Sequence, residues 1–167
     1  MVTNVTRLLS VAGIEFGVRT YEADERDLSA MHAAAALDWP VEQLFKTLVL
    51  RGPKVGVFVC CIPSAEEIDL RKAARAAGDK KCEMLIMKDL LQTVGYVRGA
   101  CSPIGMKKKF PTFIDETCAL WDLIAVSAGQ RGCMVMLNPD ELIRYTSASP
   151  CDLTGTLWRE LSIYEYH

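Results

Sequence analysis

Residues 45–62 have the sequence FKTLVLRGPKVGVFVCCI. They contain two runs rich in apolar and β-branched residues, 45–50 and 55–62, separated by turn residues that include Gly52 and Pro53. This pattern predicts a β-hairpin. Because a hairpin pairs its strands antiparallel, the sheet to which it belongs cannot be purely parallel.

Signals for helices and further strands surround this hairpin. Ser29 precedes the alanine-rich residues 31–37 as a capping residue, and residues 69–78 form the clearest helix, which ends at Gly78. Further strands are predicted at residues 16–21, 112–114, 123–126 and 134–137, and further helices at residues 3–13, at 89–91 and from Asn138-Pro139 onwards. Interleaved helices and strands around a hairpin indicate an α+β fold, a mixed sheet with helices packed against it.

Length and composition are those of one domain. The chain has 167 residues, of which 50% are hydrophobic and 24% charged, so it has enough apolar content to bury a core. No apolar run reaches the roughly 18 residues of a membrane span, and no signal peptide is expected. We expect a single domain over residues 1–167, with its core at about 5–145. The tail, residues 147–167, either packs on the core through a short helix at 157–161 or forms an interface.

The cysteines and histidines are not spaced as metal ligands. The seven cysteines include no C-x-x-C, and His32 and His167 lie far from any cysteine pair. Cys60 and Cys61 are adjacent in a strand, where neighbouring side chains point to opposite faces. We therefore expect neither a metal site nor a disulfide framework. Reduced cysteines fit a cytoplasmic protein, and no motif for a cofactor occurs.

The charge balance limits the partners of the protein. A net charge of −2 argues against general affinity for polyanions, so we expect neither a nucleic-acid coat nor a DNA partner. Basic clusters remain within this balance, above all Lys107, Lys108 and Lys109. Taken alone, such a cluster is typical of a solvated face.

The reactive groups do not indicate covalent catalysis. The motifs G-x-S-x-G and H-E-x-x-H are absent. His32, placed among alanines, is more typical of a surface or packing residue than of a base. Cys101 lies in a glycine-containing loop, where a thiol is either exposed and reactive or buried and inert.

Lys46 and the loop at residues 95–105 are stronger candidates for a functional site. Lys46 stands near the start of an apolar strand, where its ammonium either reaches solvent or points into a cleft. The loop has three glycines, which permit positive φ and leave backbone N–H groups uncovered for a carbonyl or a phosphate. Many surface loops share this composition. Residues 127–132 form another small-residue turn, which either closes the same pocket or is only a hairpin.

Four segments of this chain recur in one known protein family in the same order. They are Phe45-Lys46-Thr47-Leu48, Gly99-Ala100-Cys101-Ser102-Pro103-Ile104-Gly105 with Lys107-Lys108, Pro111-Thr112 with Ile114-Asp115, and Val126-Ser127-Ala128-Gly129-Gln130-Arg131-Gly132. Over roughly residues 5–145 the chain thus resembles the YbaK family, relatives of the editing domain inserted in bacterial prolyl-tRNA synthetase. The resemblance implies a mixed, mostly antiparallel, curved sheet with flanking helices. It also implies hydrolysis of a wrongly attached amino acid from tRNA, without a metal or an enzyme nucleophile.

The resemblance also implies roles for individual residues. Lys46 matches the lysine that the family needs for deacylation, and Gly99 matches a loop glycine whose backbone orients the aminoacyl carbonyl. The residues that match the substrate pocket and its loops are Tyr21, Ser29, Thr47, Ala100, Ser102, Pro103, Ser127, Gly129 and Met134. Lys107, Lys108 and Lys109 follow the loop, where we expect them to bind the acceptor end of tRNA. Stand-alone members often work alongside prolyl-tRNA synthetase, which is therefore an expected partner.

Three positions depart from the family pattern. Met134 replaces an aspartate that Cys-tRNA(Pro) deacylases of the family have two residues after the Arg-Gly pair, Ala100 replaces the second glycine of the loop, and Ser29 replaces an aromatic residue. Loss of the carboxylate removes a partner for a polar group of the substrate and makes the pocket more apolar. We expect Cys-tRNA(Pro) as the substrate, or tRNA(Pro) carrying another small amino acid.

Two other functions stay open at this point. A non-catalytic tRNA- or protein-binding module with a degenerate editing site fits the methionine at position 134, although such a module need not keep both Lys46 and the Gly99 loop. A thiol redox protein that uses Cys101 lacks a resolving cysteine at useful spacing.

Overall fold

The computed structural model describes residues 2–24 and 26–155. Its helices are α1 (Asn4–Val11), α2 (Ala30–Leu37), α3 (Leu70–Ala77), α4 (Met87–Val94) and α5 (Pro139–Thr146). Its strands are β1 (Gly17–Thr20), β2 (Phe45–Gly52), β3 (Gly56–Pro63), β4 (Glu83–Met84), β5 (Thr112–Asp115), β6 (Ile124–Gln130), β7 (Cys133–Leu137) and β8 (Ser149–Cys151). Short 3-10 helices cover Val41–Gln43 and Glu116–Leu120.

The strands form two sheets. One sheet is antiparallel in the order β1-β7-β6, and the other has the order β4-β2-β3-β5-β8. In the second sheet β5 pairs in parallel with β3 and with β8, whereas β2 pairs antiparallel with β3 and β4. The predicted hairpin is the β2–β3 pair, and an isolated bridge from Leu44 to Ala125 connects the two sheets. The α+β prediction is confirmed, with its strands divided between two sheets.

Strand β3 is buried on both of its faces. Phe58, Cys60 and Ile62 pack with α3 on one side of the sheet, and Val59 and Cys61 face the main core between the two sheets on the other. This double burial explains why residues 55–62 are a continuous apolar run rather than an alternating one.

Helix α2 covers the outer face of the three-stranded sheet. Ala34 and Leu37 of the helix pack against Ala125, Met134 and Met136 of β6 and β7. The layers therefore follow one another as α3, five-stranded sheet, main core, three-stranded sheet and α2.

Side-chain caps define most of the helix starts that the sequence predicts. The Ser29 hydroxyl accepts the His32 N–H at 3.2 Å, and the Asp69 and Asn138 side chains accept backbone N–H groups at the starts of α3 and α5. The small helix predicted at residues 89–91 is longer, since α4 begins at Met87 after a residue that forms no side-chain cap. Without a capping residue the sequence carries no local signal for that start.

The first part of the predicted tail belongs to the core. Residues 149–151 form β8, and Leu153 is fully buried and donates its N–H to Asp115 at 3.0 Å. The helix suggested at 157–161 lies outside the described residues. None of the helices in the described part of the chain has the length and apolar character to span a membrane.

Candidate active site

A cavity of about 760 Å³ opens between the first half of β2 and helix α2. Its walls also include the starts of α2 and α4 and the loop between α4 and β5. Strands β6 and β7 contribute one side chain each, Ser127 and Met134. Of the residues predicted from the sequence, those that line it are Tyr21, Ser29, Lys46, Thr47, Gly99, Ser127 and Met134. Residues separated by more than a hundred positions thus meet in one cleft.

Lys46 lies in the cleft wall and is half-buried. Strand β2 pairs with β4 only at Leu50 and Arg51, so the first half of β2 has an open edge where the cavity lies. Within the described residues the Lys46 ammonium has neither a hydrogen bond nor an ion pair. It is therefore free to meet a carbonyl or a phosphate oxygen.

The β6–β7 hairpin holds the Gly99 loop by two side-chain hydrogen bonds. Ser127 Oγ donates to the Ala100 carbonyl at 2.9 Å and accepts the Gly129 N–H at 3.1 Å. Arg131 Nε donates to the Arg98 carbonyl at 2.8 Å. Two separate turns of the chain are thereby fixed relative to each other beside the cleft.

Tyr21 contributes a protonated hydroxyl to the cleft. Its backbone N–H donates to the Gly132 carbonyl at 2.8 Å. Burial raises the pKa of the Tyr21 hydroxyl above its ordinary value, against a smaller opposing effect of a hydrogen bond with the Gly132 backbone. The ring meets His32 edge-on with 6.4 Å between centroids, and His32 lines a smaller cavity beside the cleft rather than the cleft itself.

Two thiols lie at or near the cleft, the partly buried Cys101 in its lining and the buried Cys61 beside Thr47. Burial raises the pKa of Cys101 to about 12 and that of Cys61, which lies 3.8 Å from Thr47 Oγ1, to about 12. A protonated thiol is neither a good nucleophile nor a redox centre, so the geometry opposes a thiol mechanism. No group of three or more His, Cys, Asp or Glu within residues 2–24 and 26–155 is arranged to hold a metal ion.

Four predicted pocket residues do not line the cleft. Ala100 is buried behind the loop, and Ser102 is fully buried with its hydroxyl accepting the Ile104 N–H. Pro103 lines a separate cavity of about 350 Å³, and Gly129 packs against Tyr96. These residues shape the loops that border the cleft.

The three predicted tRNA-binding lysines also lie outside the cleft. Lys107, Lys108 and Lys109 line another cavity, of about 710 Å³, together with Arg51 and the end of α4. Helix α4 separates the two cavities, with its first half at the cleft and its last residues at the lysines. The Lys107 N–H donates to the Val94 carbonyl at 3.0 Å, which ties the lysine segment to the far end of that helix.

A second set of cleft residues was missed by the sequence-based prediction. This set includes large apolar side chains and one arginine, namely Leu28, Met31, Met84, Met87, Leu90 and Arg98. Several of the apolar ones are exposed, with 64% of Met31 and 54% of Met87 accessible to solvent. Exposed methionines at helix starts are the signal that points to such a surface.

Comparisons with known proteins identify the family of the chain. Residues 26–145 match the family model of the aminoacyl-tRNA editing domain. The chain is 41% identical over 152 residues, which are 91% of this chain and 93% of the relative, to a protein of Enterococcus faecalis (strain ATCC 700802 / V583) named "Putative Cys-tRNA(Pro)/Cys-tRNA(Cys) deacylase EbsC".

Solved structures share the fold. One is titled "Crystal structure of a putative trans-editing enzyme for prolyl tRNA synthetase", with a TM-score of 0.78 at 23% identity over 93% of this chain and 100% of that one. Another, hypothetical protein APE2540, has a TM-score of 0.82 at 18% identity over 92% and 100% of the two chains. The family-model match and the 41% identical relative together show that the chain belongs to the aminoacyl-tRNA editing domain family and is a hydrolase of aminoacyl-tRNA.

Proposed function

We propose that this protein is a trans-editing deacylase that releases cysteine, or another small amino acid, from mischarged tRNA(Pro). The observation that carries the proposal is the cleft that Lys46 and the Gly99 loop line together. The substrate follows the name of the 41% identical relative. The free state of all seven cysteines fits the cytoplasm.

The chemistry needs positioning more than activation. An aminoacyl ester is already reactive, so holding it in place and stabilising the developing oxyanion supply the rate. The Gly99 N–H is the donor for the oxyanion. Lys46 polarises the carbonyl or holds the terminal phosphate. The attacking group is a water assisted by the ribose hydroxyl or, for a cysteinyl ester, the thiol of the substrate.

The amino-acid pocket is apolar at position 134, where the family resemblance implies a carboxylate. Met134 is only 8% exposed and packs with Leu44 and Met136. Such a wall selects by size, and one methylene in an apolar pocket changes binding by about 1–3 kcal/mol. Small amino acids are therefore separated weakly, and the tRNA body must contribute to the choice of substrate.

The basic cavity at the far end of α4 is suited to the tRNA backbone. Arg51 follows Lys46 by five residues on β2, which corresponds to roughly 16 Å along a strand. Phosphates several nucleotides from the esterified 3′ end lie at such a distance. We therefore assign the acceptor stem to the groove of Arg51, Lys107, Lys108 and Lys109. Affinity from a few such contacts is modest, and a nearby prolyl-tRNA synthetase would supply the mischarged tRNA.

The deciding experiment measures hydrolysis of tRNA(Pro) charged with cysteine, alanine, serine or proline. Lys46→Ala is compared with wild type, and Lys80→Ala, a lysine outside both cavities, is the matched control. We expect lysine-dependent release of cysteine or another small amino acid, at least about 100-fold slower in Lys46→Ala. The melting temperature should stay the same, because Lys46 forms no ion pair among the described residues.

A binding module without catalysis is the second candidate, and the methionine at position 134 is the feature that favours it. In that case tRNA(Pro) would bind but no ester would be cleaved by wild type. Full activity of Lys46→Ala would instead leave the protein a deacylase and remove Lys46 from the mechanism.

A further inference from the structure

Residues 97–100 form a turn at the border of the cleft. The Ala100 N–H donates to the Val97 carbonyl at 3.1 Å, and Gly99, the third residue of the turn, has φ +83°. A positive φ at this position defines a type II turn, which differs from type I mainly in the orientation of its central peptide. Here that peptide joins Arg98 to Gly99.

Glycine leaves this orientation weakly determined. A residue without Cβ adopts both signs of φ at similar cost, so the Arg98–Gly99 peptide can rotate between the two turn types. Within the described residues the Gly99 N–H has no hydrogen-bond partner of its own to prevent this. A contact to the carbonyl of the same peptide is then what fixes the N–H.

Arg131 supplies that contact from the β6–β7 hairpin. Its Nε donates to the Arg98 carbonyl at 2.8 Å. The side chain also lies against Gly99, where a Cβ would be 3.3 Å from Nε and 3.6 Å from Cγ. Arg131 borders the small cavity behind the loop, whereas Gly99 borders both that cavity and the cleft.

The direction of the N–H follows from planarity. No peptide in the described chain is cis, and in a trans peptide the N–H points opposite to the C=O. Because the Arg98 carbonyl is turned toward Arg131, the Gly99 N–H is turned away from it. On the other side of Gly99, the Ala100 carbonyl is held by Ser127, so the loop is braced both before and after the glycine.

We propose that Arg131 is a positioning residue for deacylation, which locks the Arg98–Gly99 peptide so that the Gly99 N–H faces the ester carbonyl. The inference rests on the proposed function. This role explains why position 131 is an arginine, because the guanidinium Nε always carries an N–H donor. The missing Cβ of Gly99 leaves room for the arginine side chain. Arg131 itself touches neither the substrate nor the reacting atoms.

The test measures kcat and KM for Cys-tRNA(Pro) in Arg131→Lys and Arg131→Ala, with Arg75→Ala on the exposed face of α3 as the matched control. We expect kcat to fall by about 100-fold, the loss typical of a missing oxyanion donor. KM should change less than about twofold, because ground-state binding is not involved. Free guanidinium at millimolar concentration should restore part of kcat in Arg131→Ala and leave Arg75→Ala unchanged.

Unchanged kcat in both Arg131 variants refutes the inference, and so does a loss confined to KM. If Arg131→Ala does not fold, Arg131→Lys decides by the same criterion. If neither folds, Arg131 serves the fold and the inference is wrong. A wild type that releases no amino acid from tRNA(Pro) defeats the proposed function, whereas an active wild type with equally active Arg131 variants defeats the role of Arg131 alone.

Discussion

Replacing Gly132 by alanine should loosen the cleft through Tyr21. Gly132 follows Arg131 in the β6–β7 turn and has φ +77°. A Cβ at this position would overlap the carbonyl oxygen of Tyr21, which is backbone and cannot rotate away. Because the Tyr21 N–H also donates to the Gly132 carbonyl, any shift that relieves the overlap displaces Tyr21.

Two costs add in the Gly132→Ala variant. The left-handed backbone is disfavoured for alanine by about 1–2 kcal/mol, and forcing a methyl group against fixed atoms costs about 1–3 kcal/mol more. We therefore expect a loss of about 3 kcal/mol in the free energy of unfolding. For a domain of this size that corresponds to a fall of about 6–12 °C in melting temperature.

Gly13→Ala is the matched control, because Gly13 has a similar φ of +72° and, apart from its chain neighbours, no heavy atom lies within 4 Å of the position that its Cβ would take. It carries only the backbone strain, part of which is offset by the lower entropy of the unfolded chain, about 0.4–1 kcal/mol. Calorimetry should show a fall of only about 2–4 °C for this variant, with kcat/KM unchanged. In Gly132→Ala kcat/KM for Cys-tRNA(Pro) should fall with the stability. Equal melting temperatures for the two variants would show that the overlap with the Tyr21 carbonyl does not change the free energy of unfolding.

Two further predictions concern the groove and the thiols. Replacing Arg51 or Lys108 by alanine should make the plot of log affinity against log salt concentration less steep, by about 0.9 for each phosphate that is no longer neutralised. Fluorescence anisotropy with uncharged tRNA(Pro) measures this slope. An unchanged slope would place the acceptor stem elsewhere. Because burial raises the pKa of Cys101 to about 12, its thiol stays protonated at pH 8. Iodoacetamide at that pH should leave Cys101 unmodified by mass spectrometry and the deacylase active, and rapid alkylation with loss of activity would revive a thiol mechanism.

The sequence predicted the helices and hairpins whose ends are determined by turn and capping residues. The β2–β3 hairpin follows from apolar runs around a Gly-Pro turn, and α3 ends as predicted at Gly78, which has φ +85°. Helix α5 likewise begins at the predicted Asn138-Pro139, and the Asn138 side chain caps it. Strand β6 extends four residues past its predicted end at 126, because pairing with β7 carries it through Ser127 and an irregularity before Gln130.

Tertiary contacts place Lys107–Lys109 at the far end of α4 from the cleft, which the sequence did not predict. These lysines follow the Gly99 loop by only a few residues, and their binding to the acceptor end of tRNA stays a prediction. The hydrogen bond from the Lys107 N–H to the Val94 carbonyl carries the chain back along α4 to its far end. The division into two sheets was not predicted either, since alternation and turn residues specify strands but not which strands pair.

The position of Met134 connects the substrate pocket to the stability of the fold. In the β6–β7 register Met134 pairs with Ser127, the residue that braces the Gly99 loop. On its other side it packs under α2 with Leu37 and Leu44. The cleft wall of this chain is thus also part of a hydrophobic cluster, so substrate preference and the packing of α2 depend on the same side chain.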